Sequence, residues 1–148
     1  MDEADLQEIQ LINKDLKDLP EIAKTIISFA GSLKIWLFYG EMGSGKTTLI
    51  KEICSLFKVN ESVTSPTYSI VNEYMSDSGK KLYHFDFYRV RSEAEVLDIG
   101  YEEYFYSDNY CFVEWPEKIP NLIPGIYLKV DIRMLQDSSR LIIVTKHE

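Results

Sequence analysis

The run Gly40-Glu41-Met42-Gly43-Ser44-Gly45-Lys46-Thr47 constrains this chain more than any other stretch. It fits G-x-x-x-x-G-K-[ST] at every fixed position, directly behind the apolar residues 35–39. Glycines let the backbone wrap around phosphate oxygens without Cβ clashes, and successive amides then point inward. A helix starting near Gly45 aims its positive end at the same anion. In such a loop Lys46 reaches the β- and γ-phosphates, and the Thr47 hydroxyl ligates Mg²⁺. The spacing therefore predicts a strand, a phosphate-binding loop and a helix, and with them an open α/β sheet.

The rest of the chain supplies the other elements. Residues 6–12 form a weakly alternating strand. Asp18-Leu19-Pro20-Glu21 resembles a capping box, and apolar residues recur at helical spacing from Leu19 to Ala30 before Gly31 ends the run. Leu49, Ile50, Ile53, Cys54 and Phe57 mark the helix after the loop. Residues 67–75 and 80–87 read as strands joined across the turn-rich Ser76-Asp77-Ser78-Gly79. Residues 92–99 read as a short helix, 110–113 as a buried strand, and 126–132 with 141–145 as a final hairpin. The expected fold is a single P-loop NTPase-like α/β domain, a mixed sheet flanked by helices.

Ligands of open α/β sheets sit outside the C-terminal ends of parallel strands. Two strands end in acids there: residues 82–85 run into Asp86, and 110–113 into Glu114. Asp86 suits the Walker B role of holding Mg²⁺ directly or through water. Its neighbour is Phe87 rather than Glu, so Glu114 is the candidate to orient or deprotonate an attacking water. A two-residue turn centred on Asp77-Ser78 would pair Ser69 with Asp86 and Thr67 with Tyr88. Thr67, Ser69, His84, Asp86 and Tyr88 would then share one face. Thr67 reads either as a switch-like contact to Mg²⁺ or γ-phosphate, or as an ordinary β-branched strand residue. His84 reads as a core histidine in preference to a phosphate contact. Arg89 and Arg91 either bind an anion or flank a helix start.

Composition narrows the function classes. The 148 residues are 45% hydrophobic and 13% aromatic, enough to bury a core. Cys54 and Cys111 lie in apolar runs without metal-ligand spacing, so both read as buried free thiols of a reducing, cytoplasmic compartment. The acidic start lacks the apolar stretch of a signal peptide, and no run approaches a membrane span. A net charge of −8 suits the chain poorly for gripping a polyanion by itself. Any role with nucleic acid would run through a partner.

Four segments, "GEMGSGKTT", "SPTYSIVNEY", "YHFDFYR" and "CFVEWP", resemble in order and spacing the TsaE family, small P-loop ATPases of bacterial tRNA threonylcarbamoyladenosine (t6A) modification. The resemblance covers about residues 35–116. It implies that Gly40, Glu41, Met42, Gly43, Ser44, Gly45, Lys46, Thr47 and Thr48 bind ATP. It also implies that Thr47, Asp86 and Glu114 hold Mg²⁺, with Thr67 as a switch-like contact and Trp115 beside Glu114 near the γ-phosphate. Lys46, Thr67 and Glu114 would then carry the chemistry. Family members act with TsaB and TsaD, and with tRNA through that complex. ATP hydrolysis supports turnover of the TsaB–TsaD synthase and is not itself the transfer to adenosine 37. Self-association is compatible with the sequence. Residues 126–148 carry no motif of the family.

Other P-loop classes fit less well. A small nucleotide kinase needs an arginine-rich lid, and this chain has four arginines, only two of them close together. A GTPase needs an Asn-Lys-x-Asp base-reading motif, which is absent. A nucleotide-dependent binding module that hydrolyses slowly alone is compatible with the ATPase reading.

Overall fold

A computed structural model describes residues 7–66 and 69–148. Seven strands form one mixed sheet: β1 (Glu8–Asn13), β2 (Ile35–Tyr39), β3 (Val71–Met75), β4 (Lys81–Asp86), β5 (Tyr110–Glu114), β6 (Tyr127–Met134) and β7 (Arg140–His147). Their order is β1-β7-β6-β2-β5-β4-β3. The central four, β6, β2, β5 and β4, run parallel, while β1, β7 and β3 pair antiparallel at the flanks. The α/β expectation holds. Because β2, β4 and β5 are parallel, Tyr39, Asp86 and Glu114 all arrive at one edge of the sheet.

Helices cover both faces, which is why β2 is apolar throughout. Trp36 and Phe38 face α1 (Leu19–Ala30) and α2 (Lys46–Leu56), packing with Ile26, Ile53 and Phe112. Ile35 and Leu37 point the other way, into a cluster with Phe85, Phe87, Val96 and Phe105. That side is closed by two short helices, α3 (Glu93–Asp98) and α4 (Tyr101–Phe105). The second was not foreseen: it is barely more than one turn, entered through Gly100 at φ +72. Cys54 and Cys111 are free and buried, and burial pushes both thiols up to about 12.

Two local expectations are corrected. The capping box lies one turn ahead of α1: Asp15 accepts from the Lys17 amide, and the Asp18 carboxylate accepts from the Asp15 amide. Asp18 itself makes no side-chain cap to α1. The β3–β4 hairpin is also shifted by one residue. Met75 pairs with Lys81 and Val71 with Phe85, and the Asp86 amide donates to the Ile70 carbonyl at 3.0 Å. Its loop holds three residues, Asp77, Ser78 and Gly79, closed by the Ser76 amide on the Lys80 carbonyl at 2.9 Å. Gly79 takes φ +83, the left-handed position such loops require. A one-residue slip exchanges faces. Ser69 therefore does not oppose Asp86; it is exposed, and its hydroxyl donates to the Val71 carbonyl. Asn72 and Tyr74 occupy the face of His84 instead. Thr67 lies outside the described residues.

Candidate phosphate and cation site

The loop between β2 and α2 is built on left-handed glycines, with φ +80 at Gly43 and +106 at Gly45. At Gly40, φ is +158, and a β-carbon would meet the Ser44 side chain and sit 3.1 Å from the Ile132 carbonyl. Only glycine lets the loop close this tightly against β6. Lys46 opens α2 and folds back, its Nζ donating to the Gly40 carbonyl at 2.5 Å. The same ammonium sits 3.6 Å from the centre of the Trp115 ring. Burial pushes the Lys46 pKa down, while Glu114, Glu117 and Asp86 hold it up.

Thr47 is the hub of the acidic side. Its hydroxyl lies 3.0 and 2.9 Å from the two oxygens of Glu114 and 2.9 Å from the Ser65 Oγ. A hydroxyl has one proton to give. Thr47 donates it to the carboxylate, and Ser65 donates to Thr47 or to Glu114 Oε2, 3.2 Å away. His84, fully buried, reaches the same Oε2 through Nε2 at 2.6 Å, so Nε2 carries the proton and donates. Its Nδ1 has no partner among the described residues. His84 is thus a core residue that supports an acid of the site rather than a phosphate contact.

β5 is the strand beside β2, which explains why Glu114 rather than Asp86 meets Thr47. Asp86 stands one strand farther, opposite Glu114, and accepts from the Tyr88 amide at 2.9 Å. Burial pushes its carboxyl above the ordinary carboxylate range; the Tyr88 amide opposes this and Glu114 adds to it, while His84 and Lys46 pull it down. Trp115 follows Glu114 in the left-handed region, at φ +59, and its ring packs 4.9 Å from that of Tyr88.

Gly43, Gly45, Lys46, Thr47, Thr48, Asp86, Glu114 and Trp115 line one cleft of ≈ 270 Å³. Gly40, Glu41, Met42 and Ser44 line an adjoining cleft of ≈ 570 Å³ that shares Met42 and Trp115. Arg89 is exposed on a third groove that also takes in Asp86, and Arg91 is exposed at the surface. Residues of this set fit a polyphosphate: a glycine cradle, a desolvated lysine and the buried Ser44 Oγ, which lacks a partner among the described residues. Among the described residues, no group of three His, Cys, Asp or Glu could hold a metal by itself. A cation here would draw on Thr47, Asp86 or Glu114 together with phosphate oxygens, as Mg²⁺ commonly does.

Sequence reasoning missed Arg140. The first residue of β7 sends its Nε to the Ser44 carbonyl at 2.5 Å and lines the cleft of Lys46 and Thr47. The hairpin that carries it was legible, but nothing local ties residue 140 to a loop almost a hundred positions earlier. Among the described residues, no helix is long and apolar enough to cross a membrane.

The sequence model of the family described as "Threonylcarbamoyl adenosine biosynthesis protein TsaE" matches residues 13–142. Relatives named tRNA threonylcarbamoyladenosine biosynthesis protein TsaE include one from Bacillus subtilis, 36% identical over 84% of this chain and 77% of the relative. Another, from Haemophilus influenzae, is 35% identical over 72% of this chain and 67% of the relative. The crystal structure of Bacillus subtilis YdiB superposes with a TM-score of 0.79 at 27% identity, covering 96% of this chain and 87% of that one. With the family model matched from the end of the first strand into the last one, over the loop and both acids, the chain belongs to the TsaE family.

Proposed function

We propose that this chain is a Mg²⁺-dependent ATPase, a single cytoplasmic domain of the machinery that makes N6-threonylcarbamoyladenosine at position 37 of tRNA. In this reading it supports turnover of a TsaB–TsaD synthase and meets tRNA only through that complex. The observation that carries it is the convergence of Lys46, Thr47, Asp86 and Glu114 on one cleft at the ends of parallel strands. The relatives' names supply the pathway.

The residues divide the work. Loop amides and Lys46 bind the phosphates. To reach them, Lys46 exchanges the Gly40 carbonyl for a phosphate oxygen and stays desolvated against Trp115. Thr47 and Asp86 are the groups that would hold Mg²⁺, which supplies charge neutralisation at the β- and γ-phosphates. Glu114, fixed by His84, is the carboxylate placed to orient a water or take its proton. Glu114 also ties up the Thr47 hydroxyl in the described conformation. Productive binding must rearrange that contact, which favours slow hydrolysis alone and activation by partners.

Trp115 links the cleft to the outside, since it touches Lys46 and is partly exposed. The test is affinity for the TsaB–TsaD pair with ATP, with ADP and with Trp115→Ala. The reading expects nucleotide-dependent affinity that weakens without the tryptophan. It also expects weak tRNA binding by the isolated chain at physiological salt, because a net charge of −8 repels a polyanion. Indifference to nucleotide together with tight tRNA binding by the chain alone would overturn the partner assignment.

A further inference from the structure

Arg140 reaches the phosphate loop from the far end of the chain. It starts β7, pairs with Asn13 and Met134, and donates from Nε to the Ser44 carbonyl at 2.5 Å. Its guanidinium lies against Gly45: a β-carbon there would be 3.3 Å from Nε and 3.6 Å from Cδ. Arg140 therefore packs closely over Gly45, whose φ of +106 already favours glycine.

The electrostatics around this residue are unusual for so acidic a chain. Arg133, on the neighbouring strand, is paired with the Asp131 carboxylate at 3.1 Å. Arg140 has no carboxylate within ion-pair distance among the described residues. A guanidinium has five N–H donors in a planar fork. One is used on Ser44, and the terminal nitrogens have no protein acceptor among the described residues. Arg140 is only partly exposed and lines the same cleft as Lys46 and Thr47. The buried Ser44 Oγ and Asn13 Oδ1, which line one small cavity with Arg140, also lack partners among the described residues.

We propose that Arg140 is a phosphate-binding residue of the nucleotide site, supplied in cis by the C-terminal hairpin. Nε holds the loop through Ser44 while the terminal nitrogens take a non-bridging phosphate oxygen. Arg140 touches Ser44 and Gly45, not Asp86 or Glu114, so the phosphate it binds is one that ADP and ATP share. This assignment rests on the nucleotide reading of the loop, and it gives the terminal hairpin a role that its sequence did not reveal.

The test compares the unsubstituted chain with Arg140→Gln, Arg140→Lys and Arg140→Ala, measuring ADP and ATP affinity and, separately, the thermal midpoint without nucleotide. Glutamine keeps an N–H for the Ser44 carbonyl but loses the charge and the fork. A charged hydrogen bond to phosphate predicts roughly tenfold or greater loss of both ADP and ATP affinity in Arg140→Gln and Arg140→Ala. Arg140→Lys should lose less, and the nucleotide-free midpoint of Arg140→Gln should stay near that of the unsubstituted chain. Unchanged affinity in Arg140→Gln overturns the assignment and leaves a simple loop clamp. A loss confined to ATP, or one that tracks the nucleotide-free midpoint across the variants, overturns it as well. If the unsubstituted chain binds neither nucleotide while remaining folded, the nucleotide reading and this assignment fall together.

Discussion

Glu114→Ala should cost stability in a way that a second substitution can undo. The carboxylate is 3% exposed and accepts from Thr47 and His84, with the Ser65 hydroxyl 3.2 Å from Oε2. Once it is gone, Thr47 and Ser65 still have each other at 2.9 Å. Among the described residues His84 then has no other partner: it is fully buried and its Nδ1 is already unpaired there. An orphaned buried donor costs about 1–3 kcal/mol, reduced by the relief of no longer burying a carboxylate. At ~2–4 °C per kcal/mol for a chain of this size, the thermal midpoint should fall by roughly 2–12 °C at most. Glu114→Gln keeps an acceptor for His84 and should lose under about 1 kcal/mol. Replacing both partners with apolar groups is close to neutral, so adding His84→Leu to Glu114→Ala should recover most of the loss. The assay is reversible thermal or urea unfolding of Glu114→Ala, His84→Leu and the double variant, with Glu114→Gln beside them. Strictly additive losses would refute the claim that His84 is held by Glu114.

Four further outcomes follow from the same geometry. Lys46→Ala should abolish productive ATP binding while leaving the fold intact, since the Lys46 ammonium bonds a loop carbonyl and lies over the Trp115 ring rather than entering the apolar core, as circular dichroism and equilibrium binding will show. Asp86→Ala should weaken Mg²⁺-dependent nucleotide binding. Glu114→Gln should spare binding and slow hydrolysis by roughly a hundredfold or more, so binding with and without Mg²⁺ separates the two acids. The buried thiols Cys54 and Cys111, with pKa raised from 9.0 to about 12, should resist alkylation in the folded protein at pH 8 and react once it unfolds. Because folding favours their protonated forms, the stability they contribute is complete below pH 9.0 and is lost as pH rises towards 12.

What could be read from the sequence was what depends on neighbours along the chain. The loop at Gly40–Thr47 carries its own geometry, and the apolar runs ending in Asp86 and Glu114 mark strand ends with no tertiary information. Parallel pairing then brings them together, as the strand-end argument required. The hairpin register was missed because it turns on a single torsion: Gly79 at φ +83 makes a three-residue loop, and one residue exchanges the faces. His84 was placed correctly in the core, but its bond to Glu114 depends on β4 lying next to β5. Arg140 was invisible because its partner is set by the sheet order β7-β6-β2, which no local pattern encodes.

The central claim is that a phosphate loop, two strand-end acids and a partner-dependent cycle form one ATPase. The direct measurement is ATP hydrolysis by the unsubstituted chain and by Lys46→Ala, each alone and with the cognate TsaB–TsaD pair and tRNA. Turnover should be slow alone, rise clearly when the pair and tRNA are added, and show no rise for Lys46→Ala under either condition. Equal hydrolysis by the Lys46→Ala chain, or a rate that the pair and tRNA leave unchanged, would contradict that claim.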